Sequence, residues 1–236
     1  MLIKSTRSFG VDRIKMLVYG PPGVGKTTLA KTTNEPTLIL SGESGLLSIS
    51  DADIDVIDIT TNDEGLRLDA IGKYERLQEA GAMLAKGIPY KWLIVDSLTE
   101  IGQIVFEYLK ASDDKFKDPK NNLVLWGLYG EKMRALVKFL RDLPNLNIVM
   151  TALAKPEKDE LNRRIMSIDL QGKISDQLPG YMDVVAFYHL FQDESGEKQR
   201  YLATQATDVY IAKDRSGKLS EFEKPNLAEI AKKIRG

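Results

Sequence analysis

Cysteine is absent from this chain of 236 residues, and histidine occurs once, at His189. Without cysteine the chain has no disulfides, no thiol nucleophile and no thiolate ligand for zinc. A single histidine also disfavours a histidine-based metal site and a Ser-His catalytic pair. Because His189 lies inside the apolar run from Val185 to Phe191, we expect it to have a structural role.

Long hydrophobic runs and an excess of one charge are also missing. No apolar stretch approaches the ~18 residues of a membrane-spanning helix, and Met1 to Gly10 is polar and lacks the apolar core of a signal peptide. We therefore expect a cytoplasmic protein with no membrane partner. The 33 Lys and Arg residues are balanced by 34 Asp and Glu residues, so nucleic-acid binding would depend on local basic patches.

One stretch near the start of the chain has a specific pattern. Met16 to Tyr19 predicts a short buried strand, and a helix is expected to begin at Thr28 and to end near residue 33. The residues between them fit G-x-x-x-x-G-K-[ST], the phosphate-binding loop, which requires this context. The loop consists of Gly20, Pro21, Pro22, Gly23, Val24, Gly25, Lys26 and Thr27.

The residue types of this loop suit a nucleoside triphosphate. The glycines let backbone N–H groups turn inward, and the first turn of the helix adds unpaired N–H groups and a positive dipole end. Lys26 should reach the β- and γ-phosphates, and the Thr27 hydroxyl should hold Mg²⁺. We therefore predict that residues 20–28, including Thr28, form the nucleotide site.

Strands and helices alternate through residue 153, which predicts an α/β fold with a mostly parallel sheet and helices on both faces. Later strands should add an antiparallel edge, and we expect one domain over residues 1–236. The strands are expected at 15–19, 37–40, 54–59, 92–97, 146–153, 184–191, 199–204 and 209–212, and helices at 64–86, 98–111, 126–142 and from 226. Residues 155–179 are polar and poorly periodic, which predicts a long loop.

Two acidic positions are candidates for the chemistry. Asp96 ends an apolar strand, where it would support Mg²⁺ in the Walker-B role; the alternative is that it caps the following helix. Glu43 follows the second strand, which we expect to lie beside the strand of the phosphate loop. Since Ser97 and not Glu follows Asp96, Glu43 is our candidate for orienting the attacking water, and Glu100 is its rival.

Together these features resemble the RecA-like ATPase core. The resemblance implies ATP as the nucleotide, which the lack of an N-K-x-D guanine motif also favours. It implies that Thr151, at the end of the strand expected at 146–153, senses the γ-phosphate. Lys213-Asp214-Arg215-Ser216-Gly217 resembles the K-x-R-x-G signature of the RadA and DnaB branches. The resemblance implies that Lys213 and Arg215 act on a neighbouring subunit's nucleotide in a ring or filament.

The chain looks most like phage-encoded, core-only RecA-like ATPases of single-strand annealing and recombination. That resemblance implies binding of single-stranded DNA, work beside a single-strand-binding protein, and a location in the cytoplasm of a bacterial host. In such cores two loops contact DNA, and these match 112–124 and 155–179. The candidate phosphate contacts there are Lys117, Arg163, Arg164 and Lys173.

Two other functions stay open. The chain could be a nucleotide-switched interaction protein that recruits a replication or repair factor and hydrolyses little ATP. A small-molecule kinase is disfavoured, because no Arg-rich lid segment is evident and Glu43 and the K-x-R-x-G turn would have no role.

Overall fold

The structure is a computed structural model that describes residues 13–43, 45–158, 162–192 and 196–236. The polar stretch Met1 to Gly10 lies outside these residues. The strands are β1 (Lys15–Gly20), β2 (Thr37–Ser41), β3 (Asp55–Asp58), β4 (Trp92–Asp96), β5 (Asn147–Lys158), β6 (Arg164–Ile168), β7 (Val184–Gln192), β8 (Lys198–Ala203), β9 (Lys213–Asp214) and β10 (Phe222–Glu223).

The α-helices are α1 (Ala70–Ala85), α2 (Leu98–Ser112), α3 (Asn122–Arg141), α4 (Ile174–Tyr181) and α5 (Leu227–Arg235). Short 3₁₀ helices are found at Thr27–Thr32, Leu46–Ile49, Asp114–Lys117 and Pro119–Asn121. Within the described residues, no helix has both the length and the apolar character needed to cross a bilayer.

The strands form one sheet with the order β10-β8-β7-β1-β5-β4-β2-β3, and β6 and β9 pair with β5 and β7 respectively. Six consecutive strands of this path are parallel to one another, namely β7, β1, β5, β4, β2 and β3. β8, β9 and β10 pair antiparallel beyond them. The predicted parallel α/β sheet with an antiparallel edge near the carboxyl terminus is therefore confirmed.

Both faces of the sheet are covered, which explains why its central strands are apolar at nearly every position. Leu17 and Tyr19 of β1 pack into a core with α1, α2, α3 and α4. The alternate residues Met16 and Val18 pack into a second core with Leu29 and α5. A strand buried on both faces has no polar alternation, and this is the pattern of Met16 to Tyr19.

Our prediction of which strand lies beside the phosphate-loop strand is wrong. We expected β2 beside β1, but β5 and β4 lie between them, and β2 pairs with β4 and β3. Chain order does not give strand order, because each crossover helix can carry the chain past one or more strands. The correction matters for Glu43, whose position now depends on β4.

Several boundaries also differ from expectation. Residues 155–179 are not a long loop, since β5 continues to Lys158, pairs antiparallel with β6 and is followed by α4. Helix α1 begins at Ala70 and not at residue 64, because Asp69 caps it by accepting a hydrogen bond from the Gly72 N–H. Residues 209–212 form only an isolated bridge, from Tyr210 to Met166.

Candidate nucleotide site

The phosphate loop connects β1 to the following 3₁₀ helix, and its glycines are needed for local geometry. A Cβ on Gly20 would lie 2.2 Å from the Tyr188 carbonyl oxygen, so no side chain fits where β1 meets β7. Gly25 has φ +109, a conformation that L side chains rarely adopt. Val24 has its side chain buried in the core, so it can offer an anion only its backbone.

The helix after the loop differs from the expected α-helix. Thr27–Thr32 is 3₁₀, and threonine hydroxyls donate to carbonyls three residues earlier at Gly25, Leu29 and Ala30. Such local hydrogen bonds compete with regular helix geometry. Thr28 makes the first of them, at 2.7 Å, and so fixes the turn that carries Lys26 and Thr27.

Lys26 folds back over the loop that carries it. Its Nζ donates to the carbonyl oxygens of Gly20 at 3.0 Å and Pro21 at 2.9 Å. Burial lowers the pKa of Lys26, while the nearby carboxylates of Asp96 and Glu43 raise it. An ammonium has three N–H donors, so one is left for an anion, and a buried cation gains from such a partner.

Asp96 lies at the end of β4, is 4% exposed, and has a hydroxyl on each carboxylate oxygen. The Thr27 hydroxyl donates to Oδ2 at 2.6 Å, and the Thr151 hydroxyl donates to Oδ1 at 2.5 Å. Asp96 is therefore tied directly to the last residue of the phosphate-loop motif. The alternative that Asp96 caps α2 is wrong, because Ser97 is the cap and accepts from the Glu100 N–H.

Glu43 reaches the same place through β4. Ser41 is paired with Asp96 across β2 and β4, and the Gly42 N–H donates to the Asp96 carbonyl at 2.8 Å. The next residue, Glu43, accepts a hydrogen bond of 2.9 Å from the Ser97 hydroxyl at Oε1. The correction to the strand order therefore leaves Glu43 beside Asp96.

Glu100, the rival of Glu43, also lines the cleft. A Cβ on Gly42 would lie 3.3 Å from the Glu100 Cβ, so glycine allows the first turn of α2 to approach closely. Burial raises the pKa of Glu100, and repulsion from Glu43 raises it further. Of the two carboxylates, Glu43 is the one that the Ser97 hydroxyl holds.

These groups share one cleft of about 770 Å³ at the carboxyl edge of the sheet. The site of a nucleotide in an open α/β sheet is this edge. The cleft is lined by Pro22, Gly23, Gly25, Lys26, Thr27 and Thr28, by Glu43, Asp96 and Glu100, and by Tyr188 and Arg200, among others. Tyr188 and Arg200 were missed, because only the pairing of β7 with β1 and β8 brings them to the loop.

The residues present fit ATP with Mg²⁺. A Cβ at Gly23 would meet nothing within 4 Å, so the loop leaves open space above its backbone. Thr27 and Asp96 are oxygen donors of the kind that Mg²⁺ prefers. When bound, Mg²⁺ would neutralise charge on the phosphate oxygens, and Thr27 and Asp96 are the residues placed to hold it.

Thr151 was expected at the end of the strand predicted at 146–153, and this placement is wrong. It lies inside β5, which continues to Lys158, and its side chain is fully buried. Its hydroxyl contacts Asp96 and the Val95 carbonyl. The residue therefore supports the Asp96 carboxylate, and its role as a γ-phosphate sensor stays a prediction.

Lys213 and Arg215 are not brought to the cleft of their own chain. Lys213 pairs with Val185, level with Leu17, which places it about 10 Å before the phosphate loop along the strands. Its Nζ donates to the Pro179 carbonyl. Arg215 donates to the Gly180 carbonyl at 2.9 Å and pairs with Asp183. A role at this nucleotide would thus require a second copy.

The expected nucleic-acid residues lie in separate segments. Arg164 begins β6, opposite Lys158, with Arg163 directly before it, and both are exposed. Lys173 is exposed at the start of α4. Lys117 lies elsewhere, between α2 and α3, where it pairs with Asp114 at 2.5 Å.

The sheet, the phosphate loop and the two acidic strand ends define a P-loop ATPase. A family model described as AAA domain matches residues 12–216, most of the chain, and the chain belongs to this AAA-domain family. No curated protein matches the chain.

A solved structure is also similar to the chain, with 16% identity and a TM-score of 0.44. It comes from work on a prototypical ATPase from the type III secretion system of pathogenic bacteria. The similarity covers 75% of this chain and 52% of that one, so the chain spans about half the length of its neighbour.

Proposed function

We propose that this protein is a RecA-like Mg-ATPase that binds single-stranded DNA and hydrolyses ATP at subunit interfaces. The observation that carries the proposal is the convergence of Lys26, Thr27, Asp96 and Glu43 in one cleft. Hydrogen bonds fix two of these groups, from Thr27 to Asp96 and from Ser97 to Glu43. Hydrolysis of a phosphoanhydride needs positioning and charge stabilisation, and these groups offer both.

In this proposal each group has one task. Lys26 binds the β- and γ-phosphates, and Thr27 and Asp96 hold the metal ion. Glu43 accepts a hydrogen bond from the attacking water and orients it toward the terminal phosphate. A cation from a neighbouring copy, Lys213 or Arg215, would stabilise the charge that develops there, as an arginine finger does.

The DNA part of the proposal is supported by two exposed arginines. Arg163 and Arg164 stand side by side at the start of β6, on a hairpin that extends from the carboxyl end of β5. Arginines in such a position can bind phosphates, and their contribution to DNA affinity should fall as the salt concentration rises. We propose a role in phage-type recombination or annealing, beside a single-strand-binding protein, in a homo-oligomeric ring or filament.

A second function, nucleotide-switched recruitment of a replication or repair partner, is favoured by a different observation. At the start of α3, Leu123 is 85%, Val124 54% and Trp126 40% exposed. Exposed apolar residues in a group are typical of a protein-interaction surface. This function needs nucleotide binding but little hydrolysis.

One assay separates the two functions. ATP turnover is measured with and without single-stranded DNA for the wild type, Lys26→Ala and Glu43→Gln, with Lys86→Ala as a control on an exposed lysine outside the cleft. DNA-stimulated turnover that both cleft variants lose, and the control keeps, supports the first function. If the protein neither binds single-stranded DNA at low salt nor is stimulated by it, the first function is ruled out.

A further inference from the structure

Two hydroxyl groups at the start of α2, those of Ser97 and Thr99, form hydrogen bonds to different parts of the molecule. Ser97 is 1% exposed, donates to Glu43 Oε1 at 2.9 Å, and accepts from the Glu100 N–H at 3.4 Å. A serine hydroxyl has one donor and two acceptor positions, so both bonds can exist together. Ser97 thus fixes the start of the helix and the carboxylate of Glu43 at once.

Thr99 makes the second connection, to the hairpin of β5 and β6. Its hydroxyl accepts from the Leu153 N–H and donates to the Asp169 carbonyl, both at 2.9 Å. The Asp169 N–H in turn donates to the Leu153 carbonyl at 2.8 Å. The Thr99 hydroxyl therefore closes the base of the hairpin whose β6 strand begins with Arg164.

We propose that Ser97 and Thr99 are positioning residues for ATP hydrolysis. Ser97 holds Glu43 toward the nucleotide, and Thr99 holds the turn that carries Ser97 in a fixed relation to the hairpin. This inference rests on the proposed function, because it takes Glu43 as the group that orients water. Neither residue touches the reacting atoms.

The connection is short and rigid. Leu98, between the two hydroxyls, is fully buried, and the Ile101 N–H bonds to the Ser97 carbonyl at 3.0 Å, which closes the first helical turn. Packed elements of this kind move as units, so a shift of the hairpin base would move Ser97 and with it Glu43. Nucleic acid bound by the hairpin would therefore change the rate of hydrolysis by this route.

The test compares single and double variants in steady-state ATP turnover of the full chain. Ser97→Ala and Thr99→Val should each lower kcat by about 10- to 100-fold with little change in KM, because a misplaced catalytic group affects chemistry more than binding. Thr99→Ser keeps the hydroxyl and should restore turnover. In the Glu43→Gln background Ser97→Ala should have no further effect, since residues that act through one group are not additive.

Thr204→Val is the matched control, because Thr204 is fully buried, donates to the Ser220 carbonyl and does not line the cleft. It should leave kcat unchanged even if it lowers stability. Full turnover in Ser97→Ala and Thr99→Val would overturn the inference, as would an equal loss in Thr99→Val and Thr99→Ser. A wild type without ATPase activity would instead contradict the proposed function.

Discussion

The Thr151 hydroxyl donates a hydrogen bond of 2.5 Å to Asp96 Oδ1 across the boundary between β5 and β4. Since Thr27 occupies the other oxygen, Asp96 is held from two sides before any ligand arrives. This buried carboxylate needs both partners, because an unpaired charge in a low-dielectric interior is unfavourable.

We therefore expect Thr151→Val to weaken Mg²⁺-dependent nucleotide binding and to lower stability by about 1–3 kcal/mol, the cost of leaving a buried acceptor unpaired. The measurements are nucleotide titration with and without Mg²⁺, and urea unfolding. A positioning role predicts an equal loss for Mg-ATP and Mg-ADP. A loss confined to Mg-ATP would instead support the γ-phosphate sensor that the resemblance implied.

The two glutamates of the cleft should respond differently to the same substitution. Glu43→Gln should lower ATP turnover by about 10²- to 10⁴-fold, the range for loss of a general base. Glu100→Gln should keep turnover within a few-fold of the wild type, because the Ser97 hydroxyl holds Glu43, and not Glu100, in the cleft. Nucleotide binding, measured separately, should survive both changes. The reverse order of effects would make Glu100 the water-orienting group.

Local pattern was enough to predict the phosphate loop, the strand before it and the acidic end of β4. Each depends on residues close in sequence, whose spacing is set by the strand or the turn they form. The general α/β class followed from the alternation of such segments. In these parts of the site, the residues that act together are also close together in the sequence.

Pairing between distant strands was not available to sequence reasoning. The neighbour of β1 was misassigned, so Glu43 was placed near the nucleotide for the wrong reason. Tyr188 and Arg200 reach the cleft only because β7 lies beside β1 and β8 beside β7. Ser97 has the ordinary pattern of a helix cap, and nothing in the sequence shows that its hydroxyl also binds Glu43.

His189 should make stability depend on pH. The ring lies between Phe187 and Phe222, 5.5 and 6.2 Å away by ring centroids, and burial lowers its pKa. The folded chain thus binds a proton less readily than the unfolded chain, so the free energy of unfolding should fall as pH drops from about 6.5 toward the lower folded pKa.

Urea unfolding at several values between pH 5 and 8 measures this fall in the wild type and in His189→Gln. Because the chain has a single histidine, the difference between the two profiles isolates its contribution. The variant should lose less stability on acidification. Parallel profiles would mean that the ring titrates equally in both states.

The cations of β9 and the following turn offer a test of assembly. Lys213 and Arg215 bind carbonyl groups of the α4 segment in their own chain, at a distance from their own phosphate loop. If a second copy uses them, a chain with Lys26→Ala still supplies the cation, and a chain with Arg215→Ala still supplies an intact loop. Neither variant alone should hydrolyse ATP, whereas an equimolar mixture should regain part of the turnover.

The mixing experiment also separates catalysis from folding. Arg215 pairs with Asp183 in an exposed ion pair, which contributes little to stability, so Arg215→Ala should fold normally. Arg141→Ala, which removes a half-buried arginine that pairs with Asp142 at the end of α3, serves as the control and should need no complementation. The proposal fails if Arg215→Ala and Lys213→Ala both hydrolyse ATP at the wild-type rate. It also fails if a monomer hydrolyses ATP as fast as the assembly, because neither cation would then act on a neighbour's nucleotide.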